Sequence, residues 1–196
     1  MMKRYAIFAG INGAGKSTLY RGFYQPLAGE ERINTDEMVA RIGSWQDGVL
    51  QIKCAREAVR LIRQYLEEGI SFNQETTLTG RGIVNNVKTA KEKGYEIHLY
   101  YVGLENVDIA LQRIEKRVRE GGHGITARDV VRRYGNSFEN LSVILKYCDK
   151  VALYDNSGLM KEVATFSQGN LVYKSQNLPN WLIHNPALQT LKDYYF

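Results

Sequence analysis

The chain has 196 residues and a formal net charge of +5, and 44% of its residues are hydrophobic while 24% are charged. These values are typical of one globular domain with a sizeable core, and no apolar run reaches the roughly 18 residues that a membrane span needs. Because the basic residues are spread out and no aromatic–basic module is evident, we expect neither a nucleic-acid nor a membrane partner.

The first predicted element is a short apolar strand over residues 4–9, which begins almost at the N-terminus. We therefore expect no secretion signal and a cytoplasmic location. Two cysteines further along, Cys54 and Cys148, fall in predicted helices. We expect them to fill the core rather than to form a disulfide or a metal pair.

A complete G-x-x-x-x-G-K-[ST] motif follows this strand and opens a predicted helix over residues 16–24. Its glycines let backbone N–H groups turn toward phosphate oxygens, and the helix N-terminus adds its positive dipole end. Lys16 is expected on the β- and γ-phosphates, the Ser17 hydroxyl on Mg²⁺, and Thr18 beside the α-phosphate. The predicted nucleotide-binding residues are Gly10, Asn12, Gly13, Ala14, Gly15, Lys16, Ser17 and Thr18.

The next predicted strand, residues 31–34, delivers Asn34-Thr35-Asp36 to a helix over 37–42 that Asn34 or Thr35 could cap. A longer helix over 49–68 ends at a glycine, and a strand over 70–74 then delivers Glu75-Thr76-Thr77. An apolar stripe at helical period predicts the buried face of the longer helix. Its members are Val49, Ile52, Ala55, Val59, Ile62 and Leu66.

The remaining elements continue the alternation of helices and strands. Helices are predicted over 81–93, 106–120 and 126–147, and strands over 95–102, 150–154, 162–168 and 171–175. This pattern predicts an α/β fold of the P-loop NTPase type, with three αβα layers, a mostly parallel sheet and a C-terminal antiparallel hairpin. We expect one domain over residues 1–176 and a tail over 177–196 that packs on the domain or on a partner.

Three acidic side chains follow predicted strands, where an open parallel sheet binds its ligands. Asp36 could accept the proton of an attacking hydroxyl or could stabilise its helix. Glu75, with Thr76 and Thr77, could bind a sugar or polyol. Alternatively, these residues could hydrogen-bond to the ligands of Mg²⁺ or cap a helix. No acidic motif of the ATPase type is evident. Either Glu75 or Asp155 would therefore have to take the place of its metal-binding carboxylate, or the metal is held by Ser17, phosphates and water. This favours a transferase over a motor ATPase.

Arginines flank a flexible break at residues 121–124, which is typical of a closing lid. Arg117 precedes the break, and Arg132 and Arg133 follow it. We call residues 113–133 the lid. The alternative for these arginines is a solvated helix face, and His123 is expected either to contact phosphate or to be an ordinary loop residue.

Six segments occur in an order that resembles the zeta-toxin-like P-loop kinases, especially the bacterial branch often labelled as predicted ABC-type ATPases. They are FAGINGAGKST, INTDE, QETTLTG, RVREGGHGIT, VRRY and LYDNSG. The resemblance covers roughly residues 4–158. The ordered set ETTL, RV-x-x-GGH and RRY is more specific than the phosphate loop alone.

The resemblance implies a kinase that uses ATP and Mg²⁺ to phosphorylate a hydroxyl of UDP-N-acetylglucosamine, with an antitoxin protein as a possible partner. The implied residues are Lys16, Asp36, Arg117 and Arg132 for catalysis, Glu75, Thr76, Thr77 and Arg133 for the acceptor, and Ser17 for the metal. Gln74 departs from the aromatic or apolar residue common in relatives, and the chain is shorter than zeta toxins proper. Two alternatives stay open: a kinase for another small hydroxylated acceptor, and a nucleotide-binding module of a toxin–antitoxin pair with little turnover.

Overall fold

A computed structural model describes residues 3–195, so residues 1, 2 and 196, at the ends of the predicted domain and tail, lie outside the described residues. Within the described part, seven strands form one sheet. They are β1 (Arg4–Ala9), β2 (Glu31–Ile33), β3 (Phe72–Thr76), β4 (Glu96–Gly103), β5 (Lys150–Asp155), β6 (Lys161–Ser167) and β7 (Asn170–Lys174).

The helices alternate with the strands up to β5 and return in the C-terminal tail. They are α1 (Lys16–Phe23), α2 (Thr35–Ile42), α3 (Gly48–Glu68), α4 (Arg81–Glu92), α5 (Val107–Arg119), α6 (Ala127–Ile144), α7 (Asn180–Ile183) and α8 (Gln189–Tyr195). None of these described helices has the length and apolar character that crossing a membrane requires.

The strand order is β2-β3-β1-β4-β5-β6-β7. The first five strands in this order pair in parallel, and β6 and β7 add an antiparallel hairpin at one edge. This confirms the predicted architecture. Because β1 lies between β3 and β4, the loop that follows β1 opens between the carboxyl ends of two neighbouring strands, where α/β sheets bind their ligands.

Strand β1 is buried on both faces, and its alternating side chains enter two separate cores. Tyr5 and Ile7 pack on one side with α3, α4, the C-terminal half of α6 and the tail. Ala6 and Phe8 pack on the other side with α1, α5 and the start of α6. Helix α6 therefore reaches both cores, which carries its first turns across the edge of the sheet at the strand ends.

The apolar stripe predicted for α3 is confirmed at Ile62 and Leu66 but wrong at its other four members, which are exposed. The buried row is Cys54, Ala58, Ile62 and Leu66, whereas Val49 and Ile52 are 63% and 54% exposed. Apolar residues occupy two faces of this helix, so periodicity alone does not select the buried one. The i, i+4 row that starts at Cys54 faces the sheet, and both Cys54 and Cys148 are buried and free.

The C-terminal tail packs on the body of the domain. Trp181, Leu182 and Leu188 are buried in the same core as Tyr101 and Phe138. The Trp181 ring lies 5.8 Å from that of Phe138 and 5.9 Å from that of Tyr101, measured between centroids. Residues 180–191 thus complete the larger core.

The two faces of α3 can be distinguished by a matched pair of substitutions. Ile62→Ala should lower the free energy of unfolding by about 2–5 kcal/mol because it leaves a cavity in the core. Ile52→Ala, on the exposed face of the same helix, should change it by about 0.5 kcal/mol or less. Urea denaturation measures both, and equal losses would contradict the orientation of the helix.

Candidate functional site

A cleft of about 390 Å³ lies at the carboxyl ends of the central strands, beside the phosphate loop. Its walls bring together Lys16, Asp36, Glu75 and Arg117, which come from four separate stretches of the sequence. Asn12, Gly13, Gly15, Ser17 and Thr18 of the predicted nucleotide site also line it. The cleft is therefore built around the phosphate-binding motif.

The phosphate loop is shaped by close backbone contacts. Gly10 has a φ of +135°, and a Cβ there would lie 2.4 Å from the carbonyl oxygen of Val102, so only glycine fits. The amide of Ala14 donates to the carbonyl of Ile11 at 3.1 Å, and the Lys16 ammonium donates to the same carbonyl at 3.1 Å. Burial lowers the pKa of Lys16, although Glu75 and Asp36 act in the opposite direction.

Glu75, at the end of β3, is the centre of the polar contacts in the cleft. The Ser17 hydroxyl lies 2.9 and 3.1 Å from its two oxygens. Arg32 donates to it at 3.1 Å and Asn34 at 2.8 Å, and the Lys16 ammonium is 3.9 Å away. Sequence reasoning missed Arg32. Its signal is its place two residues before Asn34, which continues the extended backbone of β2 and therefore points to the same side.

The donor set at this point fits Mg²⁺, which prefers hard oxygen ligands and keeps much of its coordination for phosphates and water. Ser17 supplies a hydroxyl and Glu75 a carboxylate beside it. Among the described residues, no group of three or more His, Cys, Asp or Glu side chains could hold a metal. Asp155, the other carboxylate considered for this role, instead accepts hydrogen bonds from Trp181 and Ser157.

Asp36 lies in the first turn of α2 and faces the cleft. The side chain of Asn34 caps this helix by accepting from the amides of Asp36 and Glu37, so the Asp36 carboxylate is not needed as the cap. Burial alone would raise the pKa of Asp36. The hydrogen bond and charge of His123, together with Lys16 and Arg117, outweigh burial and hold this pKa below its usual value, so Asp36 is an ionised acceptor at neutral pH.

The lid reaches Asp36 through His123, whose Nε2 lies 3.2 Å from the Asp36 Oδ2. The imidazole stacks on Trp45, with ring centroids 4.0 Å apart and an angle of 18° between planes. Neither expectation for His123 foresaw this contact with Asp36. Trp45 was also missed, because it lies in the α2–α3 connection and belongs to no recognisable motif.

One nitrogen of the Arg117 guanidinium is hydrogen-bonded within the protein, and another is unpaired. Its Nε donates to the carbonyl of His123 at 3.0 Å. Its Nη2 nitrogen is buried and has no hydrogen-bond partner among the described residues. An unpaired buried guanidinium nitrogen at a phosphate cleft is available to an anion.

The two consecutive arginines of α6 separate, since neighbouring helical positions point about 100° apart. Arg133 donates to the side chain of Asn12 at 2.8 Å and lines a second cleft that adjoins the first. Arg132 is paired with Asp129 at 2.8 Å, and its side chain is 61% exposed. Arg132, rather than Arg133, was predicted to be catalytic, but it lines neither of these two clefts.

A second cleft of about 270 Å³ adjoins the first and shares Asn12, Lys16, Asp36 and Glu75 with it. The residues predicted for the acceptor, Glu75, Thr76, Thr77 and Arg133, all line this second cleft. The Thr77 hydroxyl lies 2.9 Å from that of Thr79, and the Thr76 hydroxyl accepts from the amide of Leu78 at 3.0 Å. Asp36 thus faces two adjoining spaces.

Arg113 and Asn156 also line the first cleft, and neither was predicted as a site residue. Arg113 donates to the carbonyl of Gly13 at 3.4 Å and to that of Asn156 at 2.7 Å. The Asn156 side chain donates to the carbonyl of Ala14 at 2.7 Å. Both residues link the phosphate loop to the turn after β5. Their contacts with the loop span 100 and 142 residues of sequence, which no local pattern signals.

The model of the Zeta toxin family matches residues 3–161. An uncharacterized protein of Haemophilus influenzae is 41% identical over 133 residues, which is 67% of this chain and 93% of that protein. Two crystal structures of the AvrRxo1-ORF1:AvrRxo1-ORF2 complex, with sulphate ions and with ATP, include a similar chain at TM-scores of 0.69 and 0.67 and identities of 15% and 16%.

This chain covers 62% and 60% of those two AvrRxo1 chains, which cover 89% and 87% of it. A structure from the PezAT toxin–antitoxin system of Streptococcus pneumoniae includes a chain that is 18% identical at a TM-score of 0.56. The aligned region covers all of this chain and 80% of that chain. At such identities the structural likeness establishes the fold.

The contact between the lid and Asp36 can be tested by titration. His123→Ala should raise the pKa of Asp36 toward its ordinary value, because it removes a hydrogen bond and a positive charge that stabilise the ionised form. Carbon-13 NMR of the Asp36 carboxyl measures this pKa. His184→Ala is the matched control and should leave it unchanged; the same pKa in wild type and His123→Ala would contradict the contact.

Proposed function

Because the chain belongs to the Zeta toxin family, we propose that it is an ATP-dependent kinase that transfers the γ-phosphate to a hydroxyl of a small acceptor. The observation that carries the proposal is the position of Asp36, an ionised carboxylate that faces both the cleft of the phosphate loop and the adjoining cleft. A motor ATPase has no need of a second polar cleft beside such a base.

In the proposed reaction the triphosphate lies along the phosphate loop, with Lys16 at its β- and γ-phosphates. The Arg117 Nη2, which has no partner among the described residues, donates to an oxygen of the transferred phosphoryl group, where negative charge concentrates. Ser17, with Glu75 beside it, would hold Mg²⁺, which would supply positive charge to neutralise the phosphates.

The acceptor occupies the second cleft with its hydroxyl toward Asp36. The hydroxyl gives its proton to Asp36, its oxygen bonds to the γ-phosphorus, the bond from that phosphorus to the β–γ bridging oxygen breaks, and ADP leaves. His123 holds the Asp36 Oδ2 at 3.2 Å and leaves the other carboxylate oxygen for this proton.

For the acceptor we propose a nucleotide sugar, UDP-N-acetylglucosamine. Thr76, Thr77 and Glu75 offer hydrogen-bonding groups suited to sugar hydroxyls, and Arg133 offers a cation to a phosphate of the nucleotide. The second cleft, at about 270 Å³, is smaller than the usual 300–1,000 Å³ of a drug-sized ligand. A larger acceptor would therefore extend beyond it, and another small hydroxylated compound is the alternative.

We also propose an antitoxin protein as a partner. The PezAT structure is described as a toxin–antitoxin system, and this chain has the same fold. If such a partner held the chain as a nucleotide-binding module with little turnover, the chain alone would bind ATP without forming ADP from any acceptor. Assays of the isolated chain therefore separate this alternative from the kinase.

The role of Asp36 is tested with ATP, Mg²⁺ and UDP-N-acetylglucosamine by following ADP and a product with one added phosphate. Asp36→Asn should lower kcat by at least about 100-fold, as expected for a lost general base, and should still bind ATP. Asp108→Asn, an exposed acid on α5, is the matched control with wild-type kcat. Full activity of Asp36→Asn would remove this residue from the mechanism.

Arg133 and Arg132 provide a second matched pair. Arg133→Ala should raise the KM for the acceptor by about 10- to 100-fold, because it removes charge-assisted hydrogen bonds worth about 1.5–3 kcal/mol. Arg132→Ala should leave this KM within about twofold, since a surface ion pair contributes little. Steady-state kinetics with a panel of hydroxylated acceptors measures both, and a larger effect at Arg132 would reverse the assignment.

A further inference from the structure

The match to the family model ends at residue 161. The tail beyond this residue contacts the end of a central strand. The indole N–H of Trp181 donates to the Oδ1 of Asp155 at 3.1 Å, and both side chains are buried. The Trp181 ring lies directly on the backbone of Gly103, where an added Cβ would be 2.3 Å from a ring carbon. Gly103 and Asp155 are paired at the ends of β4 and β5.

Asp155 in turn holds the residues that follow it. The Ser157 hydroxyl donates to the same Oδ1 at 2.6 Å and accepts from the amide of Glu105 at 2.8 Å. The amide of Asn156 donates to the carbonyl of Gly103 at 3.1 Å. The turn at 156–157 is therefore fixed to the ends of both strands through Asp155 and Gly103.

The same turn contacts the phosphate loop from the side. Asn156 donates through its side-chain amide to the carbonyl of Ala14 at 2.7 Å. Its own carbonyl accepts from Arg113 at 2.7 Å, and Arg113 also reaches the carbonyl of Gly13. Both Asn156 and Arg113 line the cleft. A displacement of the turn would remove two of the contacts that fix the carbonyls of the loop.

The hydrogen bond from Trp181 is hard to replace because its acceptor is a buried carboxylate. Removing the donor leaves the charge short of a partner, which is costly inside a protein. The nearest ammonium, that of Lys161, is 3.9 Å from the other carboxylate oxygen and is half exposed. Asp155 would be expected to turn toward it, away from Ser157, and to loosen the turn.

We propose that Trp181 is a positioning residue of the nucleotide site: through Asp155 and the turn at Asn156 it holds the phosphate loop in its binding shape, so the tail determines the affinity for the triphosphate. This inference rests on the proposed nucleotide site and is independent of the acceptor and of the transfer step.

The test is direct binding of ATP with Mg²⁺ by titration calorimetry, alongside the melting temperature. Trp181→Phe keeps a large aromatic ring in the core but lacks the donor, and its Kd for ATP should rise about tenfold. Leu188→Ala is the control: Leu188 is buried in the same tail and core, so this variant should lower the melting temperature while its Kd stays within about twofold of wild type. Ser157→Ala breaks the same chain of contacts on the turn side and should also weaken ATP binding, which keeps the test open if Trp181→Phe does not fold.

A Kd for Trp181→Phe within about twofold of wild type would overturn the inference. So would a loss of affinity in Leu188→Ala as large as that in Trp181→Phe, because the tail would then act only through general stability. Wild-type protein that binds no ATP would overturn the proposed function together with this inference, so the two failures are distinguishable.

Discussion

The carboxylate of Glu75 compensates the positive charge that the phosphate-binding cleft concentrates. Lys16 and Arg32 both face it, and Ser17 and Asn34 donate to it. Cations that are buried without a counter-charge are costly, so a cleft prepared for polyphosphate needs an internal anion before the nucleotide arrives. Glu75 supplies that anion and ties together β2, β3 and the start of α1.

Asp36 lies where the two clefts of this charged region adjoin. Asn34 caps α2 and so frees the neighbouring carboxylate to face both clefts. His123 meets Asp36 from the lid and is itself stacked on Trp45. The proposed base is therefore oriented by two loops far apart in sequence, while the unpaired nitrogen of Arg117 remains for the ligand. In the proposed reaction the nucleotide and the acceptor occupy separate clefts, and the Asp36 carboxylate lies between them.

The chain also illustrates how an element beyond the residues that the family model matches can support the phosphate-binding motif. The phosphate loop continues directly from β1, and the turn at Asn156 contacts it through a hydrogen bond. That turn depends on Asp155, a residue that resembles a metal ligand by its position at a strand end but is used by Trp181. A carboxylate at the ligand-binding edge of a sheet can thus serve structure rather than chemistry, and only its hydrogen-bond partners distinguish the two.

Short-range rules of backbone geometry and hydrogen bonding suffice for the parts that depend on local chemistry. They predict the phosphate loop, the alternation of strands and helices, and a cap at Asn34 or Thr35, of which the structure selects Asn34. Strand ends also placed Asp36 and Glu75 at one edge, because a parallel sheet collects its carboxyl ends there. Only the packing of distant elements settles which face of α3 is buried, that Arg133 rather than Arg132 faces the second cleft, and that Arg113, Trp45 and Trp181 belong to the surroundings of the site. These outcomes depend on how each element is oriented where it packs on another that is distant in the chain, and the local sequence carries no signature of that orientation.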